Sequence, residues 1–348
     1  MNEGSIEAAV PAVRSERRRS GVSLGPWATA WRRLRRNRAA MATLLILVLV
    51  ALLCALAPLY ASAVSGTNPF ATNLSGTIVL DGKAVPVMAP STTGLGLGTT
   101  PIGPTWRFGP YLLGADNQGR DVAARMLYGG RNSLAIAAAA TALTLVFSVI
   151  VGLACGFFGG WVDAILNRIL DVLWAFPIYL LAISLSIVLI SHGFSIGPIE
   201  VRAGSLWLPI AIIGVVYVPY VARPIRGQTI SLMRSEFVLA AVSLGVPPWR
   251  IFWHDLLPNV MPRVIVFVPI LLALDMITES SLSFLSIGVQ PPDASWGTII
   301  QDGQGLLYSR PIVALAPGIA IAVTVLALNI LGDGVRDALD PRAKVRIA

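Results

Sequence analysis

The sequence predicts an all-α integral membrane protein with six transmembrane helices. Of its 348 residues, 55% are hydrophobic and only 13% are charged, whereas soluble domains carry about 25% charged residues. The apolar residues form uncharged runs of about 20 residues, which is the length that crosses a hydrocarbon core. These runs lack the period-two alternation of membrane β-barrels. Helices are therefore predicted, because only helices and closed barrels satisfy every backbone polar group within lipid.

The predicted spans divide the chain into five parts. A basic tail at 1–38 precedes the first span at 39–61, and a long loop follows at 62–131. A core at 132–333 holds the other five spans, and a tail at 334–348 ends the chain. These five spans are expected within 132–161, at 172–190, between Arg202 and Arg223, at 264–287 and between Arg310 and Asp333. Prolines inside the spans predict kinked helices around a cavity: Pro177, Pro209, Pro219, Pro269 and Pro317.

The length of the first span predicts that it is an uncleaved anchor. Ala61, Ser62 and Ala63 resemble a signal-peptide cleavage site. However, the uncharged run at 39–61 is longer than the ~7–15 residues of a signal h-region. The arginines directly before this run are expected to set the topology and to face anionic lipid. No nucleic-acid partner is expected, although the net charge is +8.

The distribution of positive charge predicts that both termini lie in the cytoplasm. In that orientation, 19 of the 26 Lys and Arg residues are cytoplasmic, as the positive-inside rule requires. Four arginines on the opposite side run against the rule, namely Arg107, Arg120, Arg125 and Arg131. They fall in a loop longer than about 60 residues, and such loops translocate largely regardless of charge.

The sequence offers no catalytic, cofactor or metal site. Lys83 and Lys344 are the only lysines, and neither ends the G-x-x-x-x-G-K-[ST] loop that cradles nucleotide phosphates. His192 and His254 are the only histidines. They lie on opposite membrane faces in the predicted topology, which argues against a histidine metal centre. We predict that the chain is not an enzyme and that any ATP chemistry comes from a partner.

The cytoplasmic loop at 223–263 is predicted to contain a helical hairpin. Ser235 is a suitable N-cap, Glu236 favours the helix dipole in the first turn, and Gly245 suits the C′ position. One apolar face is expected at i, i+3, i+4 and i+7: Phe237, Ala240, Ala241 and Leu244.

A second helix of the hairpin is expected to begin near Pro247 and Pro248 and to end before Pro258. One face of it carries Trp249, Phe252, Trp253 and Leu256. Two interpretations suit such a hairpin equally well. It either lies on the lipid surface or docks into a groove of a soluble partner.

Two acidic residues, Asp275 and Glu279, interrupt the predicted span at 264–287 and lie one helical turn apart. Ionisable groups inside a membrane cost roughly 2.5–3.5 kcal/mol each on insertion scales. We therefore expect both to face the bundle interior, pair with partners or be neutral. They are either ion sites of a secondary transporter or structural, cavity-lining groups.

The loop at 223–263 resembles the coupling loop of permeases from binding-protein-dependent ATP-binding-cassette (ABC) importers. That motif has Glu-Ala-Ala, a Gly four residues on and a downstream Leu-Pro. The matching residues here are Ala240, Ala241, Gly245, Leu257 and Pro258. Four further segments are similar to the dipeptide/oligopeptide/nickel permeases of that class: 113–134, 157–177, 279–297 and 328–342. The matches occur in order over 27–342, which is nearly the whole chain.

The resemblance implies a type I ABC importer permease with its permease core at 132–333, in a bacterial-type plasma (inner) membrane. It implies a second permease subunit, two cytoplasmic ATPase subunits or domains that bind ATP and Mg²⁺, and an extracytoplasmic solute-binding protein. Dipeptides or oligopeptides are the implied substrates, with nickel or another small solute as the alternative. The ATPase-coupling residues implied are Glu236, Ala240, Ala241, Gly245, Leu257 and Pro258.

Two departures from the family pattern affect the coupling loop. Leu239 stands where the motif usually has Glu, and Val242 where the subfamily usually has Arg. A third departure is a long insert at 62–110, rich in Gly, Pro, Ser and Thr. Within it, TIVLDGKAVPVM predicts two strands joined at an Asp-Gly turn.

Overall fold

The computed structural model describes residues 25–91, 98–196, 199–201 and 204–340. Most of the described chain is helical. The helices are α1 Pro26–Arg36, α2 Arg38–Ala55, α3 Ala57–Leu59, α4 Val122–Phe158, α5 Gly160–Ala175, α6 Ile178–His192, α7 Trp207–Val216, α8 Val218–Met233, α9 Glu236–Ser243, α10 Pro248–Arg250, α11 Leu257–Phe284, α12 Trp296–Gly303 and α13 Ile312–Leu339. Short π-helical segments follow α3, at Tyr60–Ser65, and α10, at Ile251–Leu256, and a 3₁₀ turn at Gln304–Leu306 follows α12.

Six membrane crossings follow from these helices when each bent pair is counted as one span. Four unbroken helical stretches are long and apolar enough to cross: Arg38–Ala55, Val122–Phe158, Pro248–Phe284 and Ile312–Leu339. The other two spans are the pairs α5/α6, bent by 90°, and α7/α8, bent by 42°. The predicted all-α class and the predicted number of spans are confirmed.

Proline accounts for the sharper of the two bends. The predicted span at 172–190 crosses the break between α5 and α6. At this break, Phe176 has an extended backbone (φ −90°, ψ 138°), and Pro177 follows it. The residue before a proline disfavours helical geometry, so α5 ends there. Pro219 lies in the first turn of α8, just after the second break. Pro269 and Pro317, in contrast, lie inside uninterrupted helices.

Helical structure is present in two segments that the sequence assigned to a tail and a loop. Residues 26–36, placed in the basic tail, form α1, and the chain leaves helical geometry at Asn37 before α2. The long helix α4 begins at Val122, inside the predicted loop at 62–131. Asp121 caps it by accepting hydrogen bonds from the backbone N–H groups of Ala123 and Ala124, which satisfies two of the free donors at a helix start.

Close helix packing depends on glycine at particular contacts. A Cβ on Gly152 of α4 would lie 2.6 Å from the Ile225 side chain of α8, and one on Gly156 would lie 2.5 Å from Thr229. Small residues let two backbones approach in this way, which favours association of membrane helices. The spacing of four residues places both glycines on one face of α4, so α4 and α8 form a continuous seam.

Short antiparallel strand pairs lie before α4 and between α6 and α7. Strands β1 Thr77–Leu80 and β2 Lys83–Pro86 pair as Leu80↔Lys83 across Asp81-Gly82, as predicted. Positive φ at both turn residues, 53° and 77°, identifies the tight turn that suits a twisted hairpin. Further pairs are β3 Met88–Pro90 with β4 Thr99–Pro101, and β5 Phe194–Ile196 with β6 Ile199–Val201.

Candidate coupling site and buried polar residues

Helix α9 begins and ends where the sequence indicated. Ser235 has the extended backbone of an N-cap (φ −75°, ψ 150°). Its hydroxyl donates to the Leu232 carbonyl instead of capping a free N–H group. Glu236 lies in the exposed first turn, where its negative charge faces the positive end of the helix dipole.

Gly245 terminates α9 in a Schellman motif. Its φ is +74°, in the region where a side chain is strained. The Gly245 N–H donates to the Val242 carbonyl at 3.0 Å, and the Val246 N–H donates to the Ala241 carbonyl at 3.0 Å. This pair of bonds satisfies carbonyls at the helix end. The predicted C′ position is confirmed, and it fixes the direction of the chain into the next helix.

The buried side of α9 differs from the apolar face expected at Phe237, Ala240, Ala241 and Leu244. Val238 is fully buried and Ala241 is partly buried, whereas Phe237 and Leu244 are 46% and 83% exposed. Val238, Leu239 and Val242 are apolar as well. A helix that is apolar on most of its sides has no unique inward face in its sequence, so tertiary packing selects it.

The sequence predicted that the second helix of the hairpin ends before Pro258, and this prediction is wrong. It continues from Pro248 through the π-helical segment into α11, in one helical stretch that reaches Phe284. The Leu257 N–H donates to the carbonyl of Phe252, five residues back. A proline removes one helical hydrogen bond and needs room for its ring, and the wider π-helical turn just before Pro258 supplies that room.

Six apolar side chains at the hairpin are exposed, and we call them the hairpin surface. They are Phe237, Leu239, Val242, Leu244, Trp249 and Trp253. A cluster of exposed apolar side chains of this kind marks an interaction site. Leu239 and Val242, the two departures from the importer motif, belong to it and are 53% and 54% exposed. A partner at these two positions therefore meets apolar side chains and not charges.

The base of the hairpin is fixed in the main hydrophobic core. Val238, Ile251 and Leu256 are buried in the same cluster as residues of α4, α7, α8 and α11. The rings of Phe157 and Phe252 meet edge to face, with centroids 5.3 Å apart. The hairpin is thus held to several spans at once.

Of the other matched positions, Ala240 is exposed, Leu257 is partly buried against the core and Pro258 is exposed. Ala240 and Pro258 are thus accessible to a partner. Leu257 packs with the buried base of the hairpin instead.

Asp275 and Glu279 both lie on α11 and are fully buried inside the chain. The Thr141 hydroxyl of α4 donates to Asp275 Oδ2 at 2.7 Å. Asp275 Oδ1 has no hydrogen-bond partner among the residues that the structure describes. One oxygen of a buried carboxyl group is thus unsatisfied.

Glu279 is hydrogen-bonded far more completely. Ser283 donates to its Oε1 at 2.7 Å and Ser280 to its Oε2 at 3.3 Å. The hydroxyls of Ser133 and Ser295 lie near the same carboxyl group. Four serine hydroxyls from α4, α11 and the N-cap of α12 therefore surround one side chain where three helices meet.

A buried ionic cluster near the start of α4 was not identified from the sequence. Arg120 bridges Asp116 at 2.7 Å and Asp302 at 2.8 Å, and Arg125 reaches Asp302 at 3.0 Å and Asp116 at 3.3 Å. Burial raises the pKa of the Asp302 carboxyl group, against the opposing effect of both arginines. The spacing of Asp116 and Arg120, four residues apart, is the one sequence signal of this cluster, because Asp302 is distant in the sequence.

The described residues contain no group of three or more His, Cys, Asp or Glu side chains that could hold a metal ion.

The candidate functional residues fall into two parts. One is an exposed apolar hairpin that is anchored to the spans, and the other is a set of buried polar ties between the spans.

Comparison with known proteins gives consistent matches. The family described as "Binding-protein-dependent transport system inner membrane component" matches residues 148–345, and "N-terminal TM domain of oligopeptide transport permease C" matches 25–76. Among solved structures, a chain of the MetNI methionine ABC transporter is 18% identical and covers 61% of this chain and 94% of that one, with a TM-score of 0.47.

Three curated relatives cover most of both chains. The dipeptide transport system permease protein DppC of Alkalihalophilus pseudofirmus is 32% identical over 93% of this chain and 92% of its own length. The oligopeptide transport system permease protein OppC of Bacillus subtilis is 34% identical, with coverages of 93% and 92%. The glutathione transport system permease protein GsiD of Escherichia coli is 32% identical, with coverages of 97% and 95%. The chain therefore belongs to the family of binding-protein-dependent transport system inner membrane components.

Proposed function

We propose that the chain is one permease subunit of an ATP-driven importer for short peptides. A second permease completes the transmembrane pathway, two ATPase subunits or domains bind ATP and Mg²⁺, and an extracytoplasmic binding protein delivers the substrate. Support for a peptide substrate comes from the three relatives, whose names specify dipeptide, oligopeptide and glutathione transport. The chain itself carries out no covalent chemistry in this proposal.

The hairpin surface is the observation that carries the proposal. A helix that lies on lipid has one apolar face and a polar face rich in Lys and Arg. Helix α9 has no basic residue, and its exposed apolar side chains, Phe237, Leu239, Val242 and Leu244, lie on more than one side. A groove in a soluble partner encloses a helix from several sides. Docking on the ATPase is therefore favoured over an interfacial position on the membrane.

Transport follows from movement of the hairpin with its partner. ATP-driven closure of the ATPases displaces α9, and the buried contacts of Val238, Ile251 and Leu256 pass that displacement to the spans. Arg226 of α8 holds Asp163 of α5 through two hydrogen bonds of 2.6 Å, so α5 moves together with α8. The substrate pathway then opens alternately to the two sides of the membrane.

An acidic substitution on the hairpin surface tests this docking. Leu239→Asp and Leu244→Asp place a charge in an apolar contact and should abolish copurification of the ATPase. Val79→Asp is the matched control, because Val79 is also exposed but lies on β1. Retention of the ATPase by both hairpin variants would refute the docking site.

The shape of the hairpin is tested separately at Gly245. A branched side chain at φ +74° costs about 1–2 kcal/mol and should redirect the chain after α9. We expect Gly245→Val to insert normally but to lose coupling between ATP hydrolysis and uptake. Normal uptake by this variant in proteoliposomes would contradict the role given to the turn.

The proposed orientation places both termini and the hairpin in the cytoplasm and the β1–β2 hairpin outside. Cysteines introduced at Lys83 and Arg250, in a background without Cys54 and Cys155, should react with an impermeant reagent from opposite sides. Labelling of both from outside intact cells would overturn this topology.

The ion-coupled transporter that the sequence left open is not favoured. The family is a component of binding-protein-dependent systems. Glu279 is also engaged by serine hydroxyls of the chain itself, which suits a structural tie better than an exchangeable ion site.

A further inference from the structure

The amphipathic helix α1 has one side packed on the protein and one side exposed. Ala30 is buried, and Leu34 approaches Gly334 of α13. Arg33 donates to the Asp340 carbonyl at 3.1 Å, at the end of α13. These contacts fix the rotation of α1 about its axis. They leave a defined set of residues directed away from the protein.

The exposed side of α1 combines tryptophan with arginine. Trp27 and Trp31 are 49% and 51% exposed, and the 3.6-residue period places them about 40° apart on the helix. Arg35 follows on the same arc, and its guanidinium lies 5.8 Å from the Trp31 ring centroid. Arg32 and Arg36 occupy the far edge of the arc.

The charge of this exposed side is uncompensated within the described part of the chain. Arg32, Arg35 and Arg36 form no ion pair there, whereas Arg120, Arg125 and Arg226 all do. Helix α1 itself contains no acidic residue. The pattern is thus a rim of cations beside a pair of indole rings, directly before the first span.

Phospholipid headgroups match this chemistry. Tryptophan is favoured at the boundary between headgroups and acyl chains, and guanidinium groups form strong paired hydrogen bonds to phosphate. An interfacial helix places its aromatic side towards the acyl chains and its basic side among the headgroups. Because α2 begins at Arg38, directly after Asn37, α1 must lie close to the membrane surface.

We propose that the exposed side of α1 is a binding site for anionic phospholipid headgroups, formed by Trp27, Trp31, Arg32, Arg35 and Arg36. In the proposed orientation, the lipids are those of the cytoplasmic leaflet. The site is independent of what the transporter carries. It fixes α1 between the lipid on one side and the end of α13 on the other.

The test measures lipid selectivity in the assembled transporter. Spin-labelled phosphatidylglycerol and phosphatidylcholine are compared for their motionally restricted fraction around the complex in bilayers. Each basic residue near an anionic surface contributes about a fivefold preference. The triple variant Arg32→Gln, Arg35→Gln, Arg36→Gln should therefore lose phosphatidylglycerol selectivity by about fivefold or more. The matched triple Arg→Lys variant keeps the charge and should retain most of it.

Two outcomes of this experiment would overturn the site. Equal selectivity in the wild type and the triple Gln variant would show that the headgroups bind elsewhere. Displacement of the spin-labelled lipid by soluble inorganic phosphate would identify free phosphate as the ligand.

A nitroxide on Ala28→Cys, in a background without Cys54 and Cys155, provides an independent measurement. Ala28 lies on the exposed side of α1. At the headgroup boundary, the label should be relaxed by a lipid-borne quencher and should remain mobile in the complex. Immobilisation that is insensitive to the lipid quencher would show that a protein subunit covers this side.

Discussion

Asp275 and Glu279 lie one turn apart on the same helix, and both are fully buried, yet their surroundings differ. Glu279 accepts hydrogen bonds from Ser280 and Ser283 and lies near two further serine hydroxyls, whereas Asp275 accepts one, from Thr141, and has one oxygen without a partner in the described structure. Burial alone therefore does not distinguish a structural carboxyl group from an under-satisfied one. The number of donors around each group does, and it predicts a larger response to substitution at Glu279 than at Asp275.

The largest effect is expected from Glu279→Ala. This change leaves a cavity and removes the acceptor of the Ser280 and Ser283 hydroxyls. Each hydrogen bond contributes about 0.5–1.5 kcal/mol and the cavity adds a further cost, so the loss should be about 2–3 kcal/mol. Titration of the detergent-solubilised complex with a denaturing detergent, followed by intrinsic fluorescence, measures it. A variant as stable as wild type would remove Glu279 from the structural role.

Glu279→Gln tests the structural role of the Glu279 carboxyl group with little change of side-chain volume. An amide oxygen still accepts from some serines, but the amide NH₂ group now faces hydroxyls that were donors. We expect a loss of about 1–2 kcal/mol and reduced ATP-driven uptake in proteoliposomes. Uptake by this variant at the wild-type rate would contradict the structural role of Glu279.

Single hydroxyl deletions around Glu279 should have smaller effects. Ser283→Ala removes one of the donors to Glu279, and we expect a loss of about 0.5–1 kcal/mol. Ser281→Ala is the matched control, because Ser281 donates to the Ile277 backbone carbonyl and not to the carboxyl group. Equal losses in the two variants would show that the carboxyl group gains nothing particular from Ser283.

The smallest effect is expected from Asp275→Asn. The amide keeps an acceptor for Thr141 and replaces an unsatisfied oxygen, so stability should change by less than about 1 kcal/mol. Uptake driven by ATP without an ion gradient should be retained. Uptake that runs on a proton gradient without ATP, and that disappears in this variant, would restore the ion-coupled interpretation.

Predictions from the sequence are confirmed where one local rule determines the backbone conformation. Gly245 ends α9 because its φ is positive, and Asp81-Gly82 forms the predicted turn for the same reason. The apolar runs likewise predicted six spans, since length and lack of charge are enough to identify them.

Features that depend on tertiary packing were missed or predicted wrongly. The buried side of α9 was one, because nearly all its residues are apolar and none of them marks the side that packs on the core. The continuation of the helix past Pro258 was another, because the π-helical turn that accommodates the proline has no sequence signal. Asp302 joins Arg120 and Arg125 from far along the chain, and no pattern in a single sequence links them.

The length of α4 has a mechanical consequence. At 37 residues it measures about 55 Å, well beyond the ~30 Å hydrocarbon layer, so at least one of its ends projects from the lipid. One end is held through Asp121 by the hydroxyl of Ser65 and the backbone N–H of Tyr111. The other end packs through Phe157 against the hairpin. Gly152 and Gly156 hold α8 against that same end of α4, so this end moves as one body with α8 and the hairpin, and the rest of the rod carries the movement towards the opposite membrane face.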